Sequence, residues 1–373
     1  MKKILYVLTA FALVLGLVAC DSSDAVKFAV LGPMTGDYSV YGQSVANGAE
    51  LAAKEINEAG GVLGKELELI NYDNQGDSDN AINNYNKAVD QAGVDAIIGG
   101  TLSGLTNAIK SYAVEEGIPV LTPTATAVDV TENAANIFRV CYLDSYQGTV
   151  MAQFAMEELE SVKAMVLYNN GDDYSVGLKD AFVAAYEAAG KDVATSSFSS
   201  DTVDFSTYID DIDENGYDAV FVPSYTDKVG PILTQASNKG LDIPFLGGDG
   251  WDSIEGDYAD VAEGMYFGNH YTKSDESEVV QNFVANYTAE FGEAPTALAA
   301  LAYDAVKVMA AAMEEAGTVD REAVVAALAA LTYETGVTGS ISFDETGNAV
   351  NKAISVITVE DGEQKLVEKI SAS

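Results

Sequence analysis

The sequence predicts an α/β fold of two similar lobes, each built on a parallel sheet, and three observations support this. Short apolar runs alternate with helical stretches along most of the chain, as in βαβ units. The 373 residues are too many for a single core. Gly-Val-Asp-Ala at residues 93–96 returns as Gly-Tyr-Asp-Ala at 216–219, and Gly117 returns as Gly240, each time 123 residues later.

The first half of the chain predicts four strands separated by three helices. The apolar runs that indicate strands lie at residues 26–31, 66–71, 96–98 and 119–121. The first helix has an apolar face of Val45, Ala49, Ala52 and Ile56, and Gly60-Gly61 ends it. Asp79 is the expected cap of a second helix through Ala92, and Ser103 lies where the third should begin.

The second half repeats this alternation and then changes character. Strands are predicted at residues 164–168, 193–198, 219–222 and 245–246, with helices after Tyr174, around 205–212 and at 229–236. Three helices follow at 279–291, 297–315 and 321–331, and a turn at Asp361-Gly362 joins strands 353–359 and 364–370 into a hairpin. We expect these helices to return to the first lobe and the hairpin to cross to the second, through a hinge of several strands.

These expectations set the predicted domain boundaries. The first lobe takes residues 25–143 plus 272–350, and the second takes 144–271 plus 351–371. Residues 1–20 read as a lipoprotein signal peptide, because two lysines precede an apolar run that ends in Leu-Val-Ala-Cys. Cys20 would then be lipidated, and the folded part would lie at the outer face of the cell membrane. An uncleaved anchor is the alternative.

Composition excludes several classes of function. The formal net charge of −39 argues against nucleic acid and anionic membrane surfaces as partners. Once Cys20 is lipidated, Cys141 is the single remaining cysteine, so no internal disulfide can form. The single histidine, His270, is expected at a hinge or on the surface. Neither a catalytic base, a zinc site nor a dinucleotide motif is signalled, so we expect a non-enzyme without cofactor or metal.

Hydroxyl, aromatic and acidic side chains follow the carboxyl ends of the predicted strands. The first lobe contributes Tyr38, Tyr41, Ser103, Thr124, Ala125 and Thr126, and the second contributes residues 169–174, Ser224, Tyr225, Asp249 and Trp251. Ligands bind at this edge of open α/β sheets. Hydroxyls beside a helix N-terminus suit a carboxylate, and the whole set suits a small zwitterion with an apolar tail.

Six segments in order resemble one known family. They are residues 31–36 with Tyr41-Gly42, 59–65, 98–103, 122–126, 204–206 and 247–250. The chain resembles the branched-chain amino-acid binding proteins, the leucine/isoleucine/valine-binding family with the type I periplasmic-binding fold, which serve ABC importers. The resemblance implies a monomer that delivers a small amino acid to a permease in the membrane. A sensory receptor module of the same fold is an alternative, and a secreted hydrolase is a weaker one.

The resemblance also implies roles for single residues. Ser103 and Thr126 would hold the ligand carboxylate together with backbone N–H groups, and Asp249 and the carbonyl of Thr124 would meet the ammonium group. Tyr41, Tyr174 and Tyr225 would line the pocket, with Ala125 and Trp251 completing the set of ligand-binding residues.

Other roles remain open for several of these residues. Ser103 also fits a helix cap, Thr126 and Asp249 fit turns, and Trp251 fits packing alone. Many relatives have glutamate at the position of Asp249, and the enteric relatives have a first-lobe disulfide that is absent here. Leucine, isoleucine or valine is therefore the favoured ligand, and an aromatic amino acid or a small amide stays open.

Overall fold

Two large sheets organise residues 25–371, which are the part of the chain that this computed structural model describes. The predicted signal peptide and Cys20 lie outside the described residues. Within residues 25–371 no helix is both long enough and apolar enough to span a bilayer.

The described residues contain fourteen strands and eleven α-helices. The strands are β1 Val26–Gly32, β2 Leu67–Asp73, β3 Ala96–Gly99, β4 Val120–Thr122, β5 Ile137–Arg139, β6 Lys163–Asn169, β7 Asp192–Phe198, β8 Ala219–Phe221, β9 Phe245–Gly247, β10 Tyr266–Asn269, β11 Thr332–Tyr333, β12 Ile341–Ser342, β13 Ala353–Glu360 and β14 Glu363–Ser371. The helices are α1 Ser39–Glu58, α2 Ser78–Asn86, α3 Ser103–Glu116, α4 Asp144–Glu157, α5 Asp173–Ala188, α6 Ser206–Asn215, α7 Thr226–Lys239, α8 Ile254–Ala262, α9 Glu278–Phe291, α10 Ala297–Ala316 and α11 Arg321–Ala330.

The first sheet is parallel and has the strand order β2-β1-β3-β4-β5. All four residues of β3 and all three of β4 are buried. Such unbroken apolar strands form when helices cover both faces of a sheet. The predicted α/β class and the four predicted strands of this half are therefore confirmed.

Helix α10 belongs to this first half of the molecule although it lies late in the chain. It packs against α1 and against β3 and β4. The close approach of the two helices depends on Gly48 of α1, because a Cβ there would lie 2.0 Å from the carbonyl oxygen of Ala299. This contact sets α1 and the N-terminus of α10 side by side at the edge where β1 and β3 end.

The second sheet has seven strands in the order β14-β13-β10-β9-β8-β6-β7. The strands from β6 to β10 are parallel, whereas β13 pairs antiparallel with both β10 and β14. Asp361 and Gly362 both have positive φ angles, 54° and 73°, as a two-residue hairpin turn of this twist requires. The predicted hairpin is confirmed, and it lies in the second sheet.

Some local predictions were wrong or incomplete. Asp77, not Asp79, caps the second helix by accepting a hydrogen bond from the N–H of Asn80. That helix ends at Asn86 and continues as a π-helical segment, Lys87–Ala92. The elements that were not predicted are strands β5, β10, β11 and β12 and helices α4 and α8. The predicted lobe boundaries remain a prediction.

Candidate functional site

A small cavity lies between the two sheets, where strands of both reach their carboxyl ends. Its volume is about 20 Å³. The lining residues are Tyr41, Thr101, Leu102, Thr124, Tyr174, Tyr225, Asp249, Gly250 and Leu298. Five of the nine predicted ligand-binding residues are in this set. They come from both halves of the molecule, as a site between two lobes requires.

The first-sheet wall is built where β3 turns into α3. Gly99, Gly100 and Thr101 have φ angles of 152°, 92° and 55°, a path that favours glycine. A Cβ at Gly100 would lie 1.7 Å from Oγ1 of Thr106, so the turn has no room for another residue. Thr124, which follows β4, donates its hydroxyl to the carbonyl of Thr101 at 2.5 Å. Thr101 and Leu102, which directly precede α3, line the cavity, so the N-terminus of α3 lies beside it, as an anion site needs.

Ser103, Ala125 and Thr126 lie directly behind this wall and are almost fully buried. The Ser103 hydroxyl accepts a hydrogen bond from the N–H of Ala127 at 3.2 Å, so it ties the start of α3 to the loop after β4. The Thr126 hydroxyl is also buried, and it faces the carboxyl of Asp144, where it partly offsets the rise in the pKa of that acid.

Three tyrosines surround the ring of Tyr225. Tyr174 stacks on it with ring centroids 5.0 Å apart, and Tyr41 and Tyr38 approach at 5.5 and 5.4 Å. Tyr41 lies on α1 and its hydroxyl reaches the second half of the molecule. It donates to the carbonyl of Gly250 at 2.7 Å and accepts from the N–H of Thr226 at 2.8 Å.

Asp249 forms the acidic end of the cavity, and its partner is His270. Nε2 of His270 lies 2.9 Å from Oδ2 of Asp249. Burial lowers the pKa of His270 even though Asp249 opposes the shift. The lowered pKa favours the neutral imidazole, and a proton on Nε2 makes this contact a hydrogen bond from His270 to the carboxyl group of Asp249. The ring also stacks on Tyr142, with centroids 3.6 Å apart.

Gln147 of α4 holds the other side of Asp249. In the amide orientation that satisfies both of its atoms, the nitrogen donates to Oδ1 of Asp249 at 3.0 Å and the oxygen accepts from the Asp249 N–H at 2.8 Å. Each carboxylate oxygen thus has one donor from the protein. Each keeps acceptor capacity for a further donor, such as an ammonium group.

Of the two expected positions for His270, the surface was wrong, because 4% of the residue is exposed, and the hinge stays a prediction. Neither His270 nor Gln147 was predicted at the site. The sequence offered one indication of the position of His270, because this single histidine follows a run of aromatic and apolar residues. Gln147 lies in a helix that was itself not predicted.

Asp144 is a further buried acid that the sequence did not indicate. It begins α4 and is fully buried, and its carboxyl faces the hydroxyl of Thr126. Burial, together with the negative charge of Asp249, raises the pKa of Asp144 well above its usual range. The protonated form is therefore favoured, which limits repulsion beside Asp249.

The structure places Trp251 outside the cavity lining. The indole is fully buried in the core of the second half, and its Nε1 donates to the carbonyl of Val222 at 2.9 Å. A Cβ on Gly247 would lie 2.1 Å from Nε1, so the strand end and the indole fit tightly. This position matches the packing alternative.

Other features of the described residues do not compete with this site. A larger surface depression of about 590 Å³ lies between residues 131–138 and 343–347, and it contains none of the predicted residues. Residues 25–371 contain no group of three or more histidine, cysteine or acidic side chains placed to hold a metal ion. Cys141 is fully buried, as expected for a small apolar residue.

Comparisons with known proteins agree with this architecture. The family model described as "Periplasmic binding protein" matches residues 25–364. The leucine-, isoleucine-, valine-, threonine- and alanine-binding protein of Pseudomonas aeruginosa is 33% identical over 335 residues, which cover 88% of each chain.

Two solved structures are similar over nearly the whole chain. A leucine-binding protein LivK from Thermotoga maritima has a TM-score of 0.89 and 34% identity, covering 93% of this chain and 99% of that one. The branched-chain amino-acid transporter substrate-binding protein LivJ from Streptococcus pneumoniae, in complex with isoleucine, has a TM-score of 0.87 and 30% identity, covering 94% and 99%. With a family model matched over most of its length and relatives of this identity and coverage, the chain belongs to the periplasmic binding protein family and has the type I fold.

Proposed function

We propose that the protein is an extracytoplasmic receptor that binds a small amino acid between its two sheets and delivers it to an ABC importer. Leucine, isoleucine and valine are the favoured ligands. The observation that carries the proposal is the polarity of the cavity. A buried carboxylate, Asp249, lies on the second-sheet side, and the N-terminus of α3 lies on the first-sheet side.

The two ends match the two charges of a zwitterion. An ammonium group would bind the remaining lone pairs of Asp249 and the carbonyl of Thr124. A carboxylate would accept from backbone N–H groups at the start of α3 and from the hydroxyl of Thr126. Neutral donors suit this end because they add no buried charge that would need compensation.

The space between the two ends is apolar and aromatic. Leu102 and Leu298 line the cavity together with the rings of Tyr41, Tyr174 and Tyr225. Burial raises the pKa of these three tyrosines, so their hydroxyls stay protonated and neutral. The cavity of about 20 Å³ has room for little more than a water molecule. The two walls would therefore have to move apart to admit an aliphatic side chain, which would then pack against these apolar and aromatic residues.

Binding would be coupled to closure of two bodies. We propose residues 25–143 plus 272–350 as one body and 144–271 plus 351–371 as the other, because the two sheets divide the chain in this way. Opening would separate Tyr41 from Thr226 and Gly250, and a ligand that contacts both walls would stabilise the closed arrangement. The membrane permease would then recognise the closed form.

Attachment to the membrane completes the proposal. Cys20 would carry the lipid after removal of the residues that precede it, and the acidic folded part would stay at the outer face. The polypeptide itself would catalyse nothing. Its one histidine is buried against Asp249 and has no nucleophile as its partner.

Titration calorimetry on the folded protein tests the ligand class. The panel comprises leucine, isoleucine, valine, alanine, phenylalanine and glutamine, with benzoate to represent aromatic acids. Micromolar or tighter binding of a branched aliphatic amino acid supports the proposal. Heat from benzoate or phenylalanine alone would move the ligand to the aromatic class, and silence across all amino acids would overturn the proposal.

Similar relatives support the same ligand class. The Pseudomonas aeruginosa relative is named for five aliphatic or small amino acids, and the Streptococcus pneumoniae structure contains isoleucine. Many relatives have glutamate at the position of Asp249. The affinity for each ligand is therefore to be measured on this protein itself.

A further inference from the structure

The turn that carries Asp249 contacts both halves of the molecule. It is a short 3₁₀ turn, Asp249–Trp251, that follows β9 and is continued by Asp252. Trp251 anchors it in the core of the second half, and the N–H of Gly250 donates to the hydroxyl of Tyr174 at 2.8 Å. The turn is therefore held rigidly to the second sheet.

Asp252 divides its two carboxylate oxygens between the two halves. Oδ1 accepts from the side-chain amides of Asn269 and Gln364, at 3.0 and 3.1 Å, which belong to strands β10 and β14 of the second sheet. Oδ2 accepts from the backbone N–H of Ala297 at 2.9 Å. Only 2% of Asp252 is exposed, so these bonds form in a site that excludes most water.

Ala297 is the first residue of α10, which packs on α1 and the first sheet. The carboxylate of Asp252 thus lies at the positive end of a 20-residue helix of the opposite half. The next residue of that helix, Leu298, lines the cavity. Moving the N-terminus of α10 away from Asp252 would also move this part of the cavity wall.

The same turn makes a second contact with the first half. The carbonyl of Gly250, two residues before Asp252, accepts the hydroxyl of Tyr41 from α1. Helices α1 and α10 pack directly on each other and so form one packed unit. The turn contacts this unit twice, through the carbonyl of Gly250 and the carboxylate of Asp252. Asp249, the residue we assign to the ligand, lies next to Gly250.

We propose that Asp252 is a clasp that positions the cleft in its closed form, by binding the N-terminus of α10 to the turn that carries Asp249. The clasp rests on the proposed function, in which closure accompanies ligand binding. Asp252 itself does not line the cavity, so it would act without touching the ligand. It acts by setting the free-energy difference between the open and closed arrangements, so its loss weakens binding without changing which chemical groups are recognised.

A proline at position 297 removes the donor of this bond and directs its ring Cδ at Oδ2 of Asp252, so the contact is broken outright. Position 297 is the first of the helix, where proline is favoured, and Thr296 before it has φ −81° and ψ 171°, which suits a residue that precedes proline. The matched control is Glu278→Pro, which places proline at the first position of α9, at an exposed residue. Asp252→Asn is the second test. It removes the negative charge, and its amide nitrogen would face the amides of Asn269 and Gln364, which are already donors.

The readouts are calorimetry with L-leucine and solution X-ray scattering with and without it, on variants whose circular dichroism matches that of the wild type. We expect Ala297→Pro and Asp252→Asn to bind leucine about 10-fold more weakly. We also expect a larger radius of gyration than the wild type without ligand, and Glu278→Pro to match the wild type in both readouts.

Two results separate this inference from the proposed function. If the wild type binds leucine and Ala297→Pro shows the same affinity and the same radius of gyration, the clasp is wrong and the proposed function stands. If the wild type binds no amino acid, the proposed function fails. In that case the scattering of the unliganded proteins tests the clasp. Variants with the same radius of gyration as the wild type would overturn the clasp as well.

Discussion

At the residue scale, Asp249 shows how distant segments create one binding group. Its carboxylate is held by His270, 21 residues later, and by Gln147 on α4. The acid itself was predictable because it lies in a glycine-rich loop after an apolar strand. Its partners were not, since a sequence does not show which buried polar groups pair across a fold.

Replacing Asp249 by asparagine should weaken amino-acid binding by at least about 100-fold, because the ligand ammonium would lose its charged partner. Calorimetry with leucine measures the change. Asp260→Asn, at an exposed position on α8, removes the same charge away from the cavity and should bind like the wild type. An Asp249→Asn variant with unchanged affinity would place the ammonium elsewhere.

The histidine gives a prediction about pH and stability. Because burial lowers the pKa of His270 in the folded state, the unfolded chain binds its proton more readily, and stability is lost as pH falls below about 6.5. Between pH 7.5 and 5.5, the wild type should lose up to about 1.4 kcal/mol per pH unit more than His270→Gln does.

Urea unfolding at several pH values measures this difference. His270→Gln cannot take up the proton, so its own pH dependence supplies the background from all other groups. Parallel curves for the two proteins would mean that His270 is protonated equally in both states, and that the account of its neutral ring is mistaken.

At the element scale, the predictable parts were those with strong local signals. Apolar runs ending in glycine became β3 and β9, and the Asp361-Gly362 pair became the hairpin turn. Strand β5 was missed because it has three residues, including the buried Arg139, whose guanidinium donates to the carbonyl of Ala125. Helix α4 was missed because it is buried on several sides and shows little apolar periodicity.

The contact between α1 and α10 predicts a strong effect of a single methyl group. Gly48→Ala should destabilise the protein by about 1–3 kcal/mol, because the new Cβ would meet the backbone of Ala299. Gly256→Ala on α8, where nothing lies within 4 Å of the added Cβ, is the matched control. That control should be neutral or slightly stabilising.

Thermal or urea unfolding distinguishes the two variants. A Gly48→Ala protein as stable as Gly256→Ala would show that α1 and α10 separate at no cost. The close packing would then not determine where Tyr41 and Leu298 lie.

At the scale of the whole molecule, the lipid anchor is a prediction of the sequence alone, since residues 1–24 lie outside the described part. Cys20→Ala should block lipidation and cut the fraction of the protein that sediments with membranes when it is expressed in a bacterial host that processes lipoproteins. Ser22→Ala, two residues away, should leave the distribution unchanged. Equal sedimentation of the two variants would contradict lipid attachment at Cys20.

The division into two sheets was predictable from the repeat, whereas the cavity between them was only partly so. Tyr41, Thr124, Tyr174, Tyr225 and Asp249 line the cavity, and each follows a strand end. Trp251 follows a strand end too, but its large ring packs inward against β8 and β9 instead. A strand end thus identifies the correct edge of a sheet without showing which way each side chain points.

The central claim is that both charges of an amino acid are recognised, one by each half of the molecule. Calorimetry with leucine, its deaminated analogue 4-methylpentanoate and its decarboxylated analogue 3-methylbutylamine tests it most directly. The account predicts binding of leucine and at least about 100-fold weaker binding of each analogue, because each leaves one charged end of the site unpaired. An affinity for either analogue that equals the affinity for leucine would contradict it.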